Sequence, residues 1–373
     1  MKRMRIVLIG NGSSIHIRRW LAWFNEQGHE VHLISNIDCE RIAGVEFHLV
    51  KYEHSSNFPG SYTLILRRNM GKVPHLIAEI EPDIVHLHYL SSYLTYKLEF
   101  HPFVVSAWGS DVFRTERGTP GYRYARENLF KGDMITTTSE TLRELVSKRF
   151  NYNKENLISF PWGLDLGSIK KTDMRSARKM LDLDPSHYVF FAPRGINPPY
   201  RPEIIIDAFD NLSNKFDNID LILLRGYSPE TRMSKIKRLA KFKGNGRIRL
   251  IDKLLNPQEM SLYYSASDFY VGIPTTDQLS ACLLEAMVCG SVPIISNLPA
   301  YKEAITDNEN GFILKETTVK NLESAMQKGI EYNRQIDDWR DHNTEYVRLE
   351  FNWDELAQKM VEIYEDLINL YKL

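Results

Sequence analysis

Residues 274–296 read PTTDQLSACLLEAMVCGSVPIIS, and they follow a short apolar run that is typical of a buried strand. Leu279, Leu283 and Met287 recur at four-residue spacing, which predicts a helix with one face packed on a sheet. The stretch ends in a second apolar run over residues 292–296. A strand, a helix and a strand in this order are typical of a parallel α/β sheet.

The same alternation extends in both directions from this stretch. Further strands are predicted over residues 188–192, 221–224, 248–251 and 269–272, and in the first half over 6–9, 31–34, 84–88, 103–107 and 134–138. Longer stretches that are compatible with helices separate them. We therefore predict an α/β protein with two doubly wound parallel sheets.

The length of the chain supports two domains. With 373 residues and a 43% hydrophobic content, it can form two separate cores. Residues 170–187 are charged, contain Pro185 and lack a sustained strand pattern, so the predicted boundary lies there. We expect Rossmann-like domains over 1–170 and 171–345. Residues 346–373 should form a C-terminal amphipathic helix that packs back on the N-terminal domain.

The composition excludes some classes of protein. Lys and Arg total 47 against 48 Asp and Glu, and this balance argues against a nucleic-acid partner. The three cysteines have no metal-ligand spacing, which fits a reducing compartment. The N-terminus has neither a signal-peptide pattern nor an apolar spanning segment, so we expect a cytoplasmic protein.

The opening stretch also contains two candidate ligand-binding carboxylates, Asp277 and Glu285. Eight residues on a helix span about 12 Å, which is comparable to the distance from a sugar to a ribose. Ionised carboxylates accept hydrogen bonds from hydroxyls strongly. The free N–H groups of the helix start suit a diphosphate. The residues expected to contribute to this donor site are Leu279, Ser280, Ala281 and Cys282. Alternatively, Asp277 caps the helix and Glu285 is a surface charge.

Residues 277–290 resemble the donor motif of the retaining GT-B glycosyltransferases of the GT4 family. That motif is a Glu, seven residues, a second Glu and then AMACG. Here Asp277 takes the first acidic position, which keeps the charge and shortens the side chain. The resemblance extends to residues 191–195, FAPRG, and to residues 299–314, which are similar to a family segment that ends in an acidic-Gly turn before an apolar strand.

The resemblance implies the GT-B fold, in which two doubly wound Rossmann-like domains face each other across a cleft. It implies a retaining, metal-independent transferase that moves a hexose or related sugar from a nucleotide-diphospho-sugar to a glycan or lipid-linked acceptor. We expect a role in cell-surface polysaccharide or glycolipid synthesis. A UDP-sugar is the expected co-substrate, and no bound cofactor is expected.

Roles for individual donor-side residues also follow from the resemblance. Arg194 and Arg201 would grip the diphosphate, and Ile251 would lie near the base. Glu285 would hold the ribose and Asp277 would orient the sugar. The alternative for both arginines is ordinary surface solvation.

In the N-terminal half, Gly12 follows the first strand and would allow the backbone to approach the substrate closely. Trp108 stands where the family often has His, and with Asp111 and His88 it would form the acceptor side. Arg194, Asp277 and Asp111 are the expected catalytic residues. His86 and His88 share one strand face, but no third ligand accompanies them, so we expect no metal there.

Two segments combine basic and apolar residues, which suits an anionic membrane surface. They are residues 15–24, which contain Trp20, Trp23 and Phe24, and residues 64–72, which contain Arg67 and Arg68. The aromatic residues of the first segment are alternatively core residues, so residues 64–72 are the better candidate. We expect peripheral binding at the inner face of a membrane.

Two other functions fit the same pattern. A nucleotide-sugar 2-epimerase shares this fold and would form product without an acceptor. The departures at Trp108 and Asp277 also fit a non-catalytic partner subunit, which would neither hydrolyse nor transfer the donor sugar.

Overall fold

In the computed structural model, which describes residues 2–50, 72–332 and 334–372, the chain divides into two units. The first comprises Met1–Pro161 together with Glu355–Leu373, and the second comprises Trp162–Asp354. The first boundary, after Pro161, thus lies before the predicted boundary at residue 170. The second, after Asp354, lies beyond the predicted boundary at residue 345. Each unit has its own parallel sheet, so the predicted fold class is confirmed.

The sheet of the first unit has the strand order β3-β2-β1-β4-β5-β6-β7, with every pair parallel. The strands are β1 Arg5–Ile9, β2 Glu30–Ser35, β3 Val45–Leu49, β4 Ile84–His88, β5 Phe103–Ala107, β6 Met134–Thr137 and β7 Leu157–Ser159. The sequence did not predict β3 and β7. Both lie at the edges of the described sheet, where burial is partial and the apolar signal is weaker.

The helices of the first unit cover the two faces of this sheet. They are α1 Ile15–Glu26, α2 Lys72–Ile80, α3 Ser110–Phe113, α4 Pro120–Lys131 and α5 Glu140–Phe150. Trp20, Trp23 and Phe24 of α1 are all buried, so the core interpretation of these aromatic residues is correct and α1 does not present them to a membrane. Residues 64–71 lie outside the described residues.

The sheet of the second unit has the order β10-β9-β8-β11-β12-β13, again fully parallel. Its strands are β8 Tyr188–Ala192, β9 Ile219–Leu224, β10 Ile248–Ile251, β11 Phe269–Gly272, β12 Val292–Ser296 and β13 Phe312–Leu314. Its helices are α6 Met174–Met180, α7 Pro202–Ser213, α8 Glu230–Phe242, α9 Pro257–Ala266, α10 Ala281–Val288, α11 Val319–Glu331 and α12 Arg334–Glu350. α10 buries Leu283 and Met287 completely, and each such side chain contributes roughly 1.5–3 kcal/mol to folding.

The last helix, α13, runs from Trp353 to Lys372, and from Glu355 onward it belongs to the first unit. Tyr364 is buried there, with its hydroxyl 2.5 Å from Nδ1 of His86 on β4. Among residues 2–50, 72–332 and 334–372, no helix is both long and apolar enough to span a membrane.

The topology of each sheet indicates where a ligand would bind. The chain order reverses between β1 and β4 in the first sheet and between β8 and β11 in the second. In doubly wound folds, ligands bind outside the carboxyl ends of the strands at this reversal. The loops after β1, β4, β8 and β11 are therefore the first places to look for a site.

Candidate active site

At the reversal point of the second sheet, Arg194 makes two strong contacts with the loop after β11. Its Nη2 donates to Oδ2 of Asp277 at 2.6 Å, and its Nη1 donates to Oγ of Ser280 at 2.7 Å. The Arg194 and Asp277 side chains are 21% and 17% exposed, so the ion pair is largely shielded from water. The structure thus brings together two expected catalytic residues, here bonded to each other.

The turn that carries Arg194 depends on a glycine. Gly195 has φ of +88°, and a Cβ there would lie 3.2 Å from the carbonyl oxygen of Arg225. Any other residue here would have a strained left-handed backbone, and its Cβ would crowd this carbonyl oxygen. The following turn is tied to the loop after β11, because the Thr275 amide donates to the Pro199 carbonyl at 2.9 Å. Arg194 is therefore held by rigid backbone.

Asp277 lies in the loop before α10 and does not cap it. The helix begins at Ala281 with Ser280 at the N-cap, so the alternative interpretation of Asp277 as the cap is wrong. Its Oδ2 also accepts a hydrogen bond from the Tyr301 hydroxyl at 2.9 Å. Burial raises the pKa of Asp277, and Arg194 and Tyr301 offset part of this effect.

The start of α10 retains the features of an anion site. The Ser280 side chain makes no capping hydrogen bond, and the first turn contains no acidic residue. The N–H groups at this helix end carry partial positive charge. Leu279 and Cys282 are half-buried and Ala281 is exposed. Burial, followed by the charge of Glu285, raises the pKa of Cys282, so this side chain is a neutral thiol at neutral pH.

Glu285 lies on α10, one turn beyond Ala281, and is half-buried. Its Oε2 accepts a hydrogen bond from the Tyr264 hydroxyl at 3.1 Å. This contact orients the carboxylate, so Glu285 is more than the surface charge that the sequence left as an alternative.

The other two donor-side candidates are less constrained. Arg201 precedes α7 with φ of +54°, it is half-buried, and its side chain makes no hydrogen bond or ion pair with the described residues. Ile251 ends β10, which is two strands away from β8 at the sheet edge. Its side chain is 7% exposed and packs in the core.

The reversal point of the first sheet is lined by aromatic rings. His88 ends β4, and Trp108 follows β5 with its ring centroid 5.9 Å from that of His88 and 5.7 Å from that of His16. His88 is 1% exposed, and neither of its ring nitrogens has a hydrogen-bond partner within the described part of the chain. Burial, followed by the nearby His16, lowers the pKa of His88 to about 3.

His86, two residues earlier on β4, has a different environment. Its Nδ1 faces the Tyr364 hydroxyl, and its Nε2 lies 2.7 Å from Oγ of Ser106. The His86 and His88 rings stack with centroids 4.1 Å apart. His86 is thus a hydrogen-bonded core residue, while the nitrogens of His88 are buried without a hydrogen-bond partner among the described residues.

Asp111 holds the backbone in this region. Its carboxylate accepts hydrogen bonds from the amides of Leu90, Trp108 and Gly109 at 2.6, 2.9 and 2.8 Å. Burial raises the pKa of Asp111 to about 6, although these amides favour the ionised form. The contacts favour a positioning role for the loops after β4 and β5 over the catalytic role expected from the sequence.

Gly12 also has a structural role. A Cβ at this position would lie 2.6 Å from Sγ of Cys39 and 2.9 Å from Cδ2 of Leu33, and its amide donates to Oγ of Ser35 at 3.1 Å. The glycine lets the loop after β1 pack tightly on β2. Close approach to a substrate stays a prediction.

Three tyrosines support the second-unit residues and were not predicted. The Tyr301 hydroxyl donates a hydrogen bond to Asp277, and the Tyr264 hydroxyl donates one to Glu285. The centroid of the Tyr200 ring lies 5.1 Å from Cζ of Arg194. Tyr301 lies within residues 299–314, which carry the family resemblance, and Tyr200 directly precedes the predicted donor residue Arg201. Tyr264 is on α9 and gave no signal.

Comparisons with known proteins agree with this fold. Residues 173–366 match the family described as glycosyl transferases group 1, and residues 5–141 match the family described as glycosyl transferase 4-like. An uncharacterized glycosyltransferase of Methanocaldococcus jannaschii is 23% identical over 244 residues, which cover 64% of this chain and 60% of the relative. The match thus spans less than two thirds of that relative's length.

A longer alignment and a solved structure extend the comparison. The phosphatidyl-myo-inositol mannosyltransferase of Propionibacterium freudenreichii is 25% identical, covering 95% of this chain and 91% of the relative. The Anabaena HepE protein, solved in complex with UDP and glucose, superposes with a TM-score of 0.75 at 13% identity over 98% of this chain and all of that one. This structural similarity supports the fold.

Proposed function

We propose that this chain, which belongs to the glycosyl transferases group 1 family of GT4-type, GT-B glycosyltransferases, moves a hexose or related sugar from a nucleotide-diphospho-sugar to a glycan or lipid-linked acceptor. The observation that carries the proposal is the group formed by Arg194, Ser280 and Asp277 at the reversal point of the second sheet. A shielded cation beside a helix start is suited to a diphosphate.

Arg194 would bind the diphosphate and stabilise the charge that develops on it as the sugar leaves. Such preorganised electrostatic stabilisation is often the largest contribution to catalysis. Asp277 and Ser280 hold the guanidinium in place. Nucleotide binding would exchange the carboxylate for phosphate oxygens, so that Asp277 becomes available to the hydroxyls of the donor sugar.

Glu285 would bind the ribose hydroxyls. It lies on the same helix whose first-turn N–H groups would contact the diphosphate, and Tyr264 already orients its carboxylate. A carboxylate can accept from two hydroxyls at once, which suits a ribose diol. We propose a UDP-sugar as the donor, and the UDP in the solved Anabaena structure supports this choice.

We further propose that the transfer retains the anomeric configuration and requires no metal ion at the diphosphate. Retention is implied by the family resemblance. The proposed metal independence rests on Arg194 and the α10 start, which together would supply the positive charge that a metal supplies elsewhere.

The acceptor would bind in the first unit beside His88 and Trp108. The low pKa of His88 keeps its ring neutral, and its nitrogens are buried without a partner among the described residues, so this edge suits a sugar hydroxyl better than an anion. The Trp108 ring offers an apolar surface for stacking. The name of the mannosyltransferase relative supports a lipid-linked acceptor.

Transfer by the isolated chain is the test of this proposal. The protein is incubated with UDP-, GDP- and ADP-sugars, with and without a mixture of lipid-linked and free glycan acceptors, and nucleoside diphosphate release and products are measured. We expect UDP release that depends on acceptor, and a product with the donor's anomeric configuration. Epimerised donor formed without acceptor would indicate the 2-epimerase. Absence of both turnover and nucleotide binding would indicate a non-catalytic subunit.

Membrane association is tested by flotation with vesicles that contain anionic lipids. We expect binding at low salt that decreases as salt rises, and weaker binding by the double variant Arg67→Glu, Arg68→Glu. These two residues lie outside the described part of the chain. A protein that does not float even at low salt would favour a soluble acceptor.

A further inference from the structure

A second group of chemically reactive side chains lies on the outer strands β2 and β3 of the first sheet, outside the reversal point between β1 and β4. His32 on β2 and Glu46 on β3 are register partners, and His48 is two residues further along β3. Since side chains alternate along a strand, all three project from the same face. One ligand atom from each lies within 4.8 Å of the others.

From this geometry we propose that His32, Glu46 and His48 form a zinc site that fastens the edge strand β3 to β2. This site is separate from the donor chemistry proposed above. Two imidazoles, one carboxylate and a water are a ligand set that zinc accepts in tetrahedral geometry.

The two distances from His32 lie within about 0.2 Å of those in such a centre. Nδ1 of His32 lies 3.1 Å from Nε2 of His48 and 3.6 Å from Oε2 of Glu46. In a tetrahedral site with zinc–ligand bonds of 2.0–2.2 Å, neighbouring ligand atoms are about 3.3–3.6 Å apart. The Glu46 side chain is 70% exposed and can therefore rotate to bring its carboxylate closer to His48.

The orientation of His32 is a second observation that points to a metal. Its other nitrogen, Nε2, lies 3.3 Å from Oε1 of Glu30, and that same oxygen accepts a hydrogen bond from Arg5. A carboxylate that is paired with an arginine can only accept, so Nε2 of His32 carries the proton. Nδ1 then carries a lone pair, which faces Nε2 of His48 at 3.1 Å and would face the metal in the proposed site. Metal-binding histidines commonly have a carboxylate on the opposite nitrogen.

The position of the site suggests what zinc would do. β3 is the outermost strand of the described sheet, and such an edge lacks a partner on one side. A metal bridge from buried His32 to half-buried His48 would cross-link this strand to the sheet. Because the ligands lie on β2 and β3, outside the reversal point between β1 and β4, the bridge would be structural.

The test is a zinc titration of the full chain, stripped of metal beforehand, in competition with a chromophoric zinc indicator. We expect one tight equivalent of zinc, and a thermal midpoint that rises with zinc because the metal binds the folded state. His48→Gln and Glu46→Gln should each weaken binding by more than tenfold. Glu30→Gln should weaken it roughly tenfold to hundredfold by releasing His32.

Two matched controls make the result specific. His342→Gln removes an exposed histidine from α12, and Cys39→Ser removes a thiol that packs with Leu33 and Phe47 on the opposite face of the sheet. Both should bind zinc as the wild type does. Because Glu46 is exposed, Glu46→Gln stays informative if His48→Gln fails to fold. No zinc binding by the wild type, or equal binding by Glu46→Gln, would overturn the proposal.

Turnover provides an independent readout. Removal of zinc by EDTA should lower the thermal midpoint while turnover at low temperature persists. Loss of the zinc site would leave the proposed transferase function intact, and an inactive chain could still bind zinc.

Discussion

The two sheets present different chemistry at their reversal points. In the second unit, charged groups are bonded to each other, with Arg194 between Asp277 and Ser280. In the first unit, the rings of His88 and Trp108 are neutral, and the buried carboxylate of Asp111 accepts hydrogen bonds from backbone amides. A charged edge suits a diphosphate, whereas a neutral aromatic edge suits a sugar. One fold, used twice, thus presents two chemically different edges.

The largest expected effect comes from removing the cation of the charged edge, Arg194. Arg194→Ala should lower turnover by on the order of a hundredfold or more, because the leaving diphosphate loses its main counter-charge. Steady-state rates with saturating donor measure this. Arg201→Ala is the matched control, since its side chain has no partner among the described residues, and it should have a much smaller effect. A near-normal rate for Arg194→Ala would mean that Arg201 or the helix start supports the leaving group.

A second test concerns the ribose contact. Glu285→Gln should weaken nucleotide binding by roughly 1.5–3 kcal/mol, because a charge-assisted pair is replaced by neutral hydrogen bonds. Isothermal titration with UDP measures the loss. Tyr264→Phe keeps the carboxylate and removes only its supporting hydroxyl, so it should have a smaller effect. Equal affinity of Glu285→Gln and wild type would refute the ribose role.

The first unit can be tested by the pH dependence of its stability. The pKa of Asp111 is raised from 3.8 to about 6, so the folded state favours the protonated carboxyl. The stability from this group is therefore fully present below pH 3.8 and is lost as pH rises toward about 6. Thermal midpoints of wild type minus Asp111→Asn should fall across this interval. A difference independent of pH would show that Asp111 does not titrate there.

The smallest expected effect is that of chelation on catalysis. If Arg194 and the α10 start provide the positive charge, EDTA should leave turnover nearly unchanged. Initial rates before and after chelation, measured well below the thermal midpoint, provide the comparison. Complete loss of activity that Mn²⁺ or Mg²⁺ restores would contradict the phosphate-binding role of these groups.

Much of this fold was predictable because its central strands are continuous apolar runs. β4, β5, β8, β11 and β12 begin and end where the sequence placed them, and so does the edge strand β10. The edge strands β3 and β7 were missed, since a half-exposed or three-residue strand has no such pattern. The position of Arg194 and Asp277 on adjacent loops followed from the topology of a parallel sheet.

The partners of these residues could not be predicted. Nothing in the sequence indicated that Arg194 would bond Asp277, or that Tyr301 on a later turn would reach the same carboxylate. Asp111 illustrates the same point, because its three amide donors come from two loops that only the folded sheet brings together. Such contacts depend on side-chain directions that periodicity does not encode.

The most direct test of the central claim is the affinity for UDP of three proteins, measured by isothermal titration under one set of conditions. The wild type, Arg194→Ala and Trp108→Ala separate the charged edge from the aromatic edge. We predict that Arg194→Ala weakens UDP binding by at least about tenfold, as expected for loss of a charge-assisted contact, while Trp108→Ala binds UDP as the wild type does. Equal losses in the two variants, or a loss confined to Trp108→Ala, would contradict the assignment of the nucleotide to the second unit.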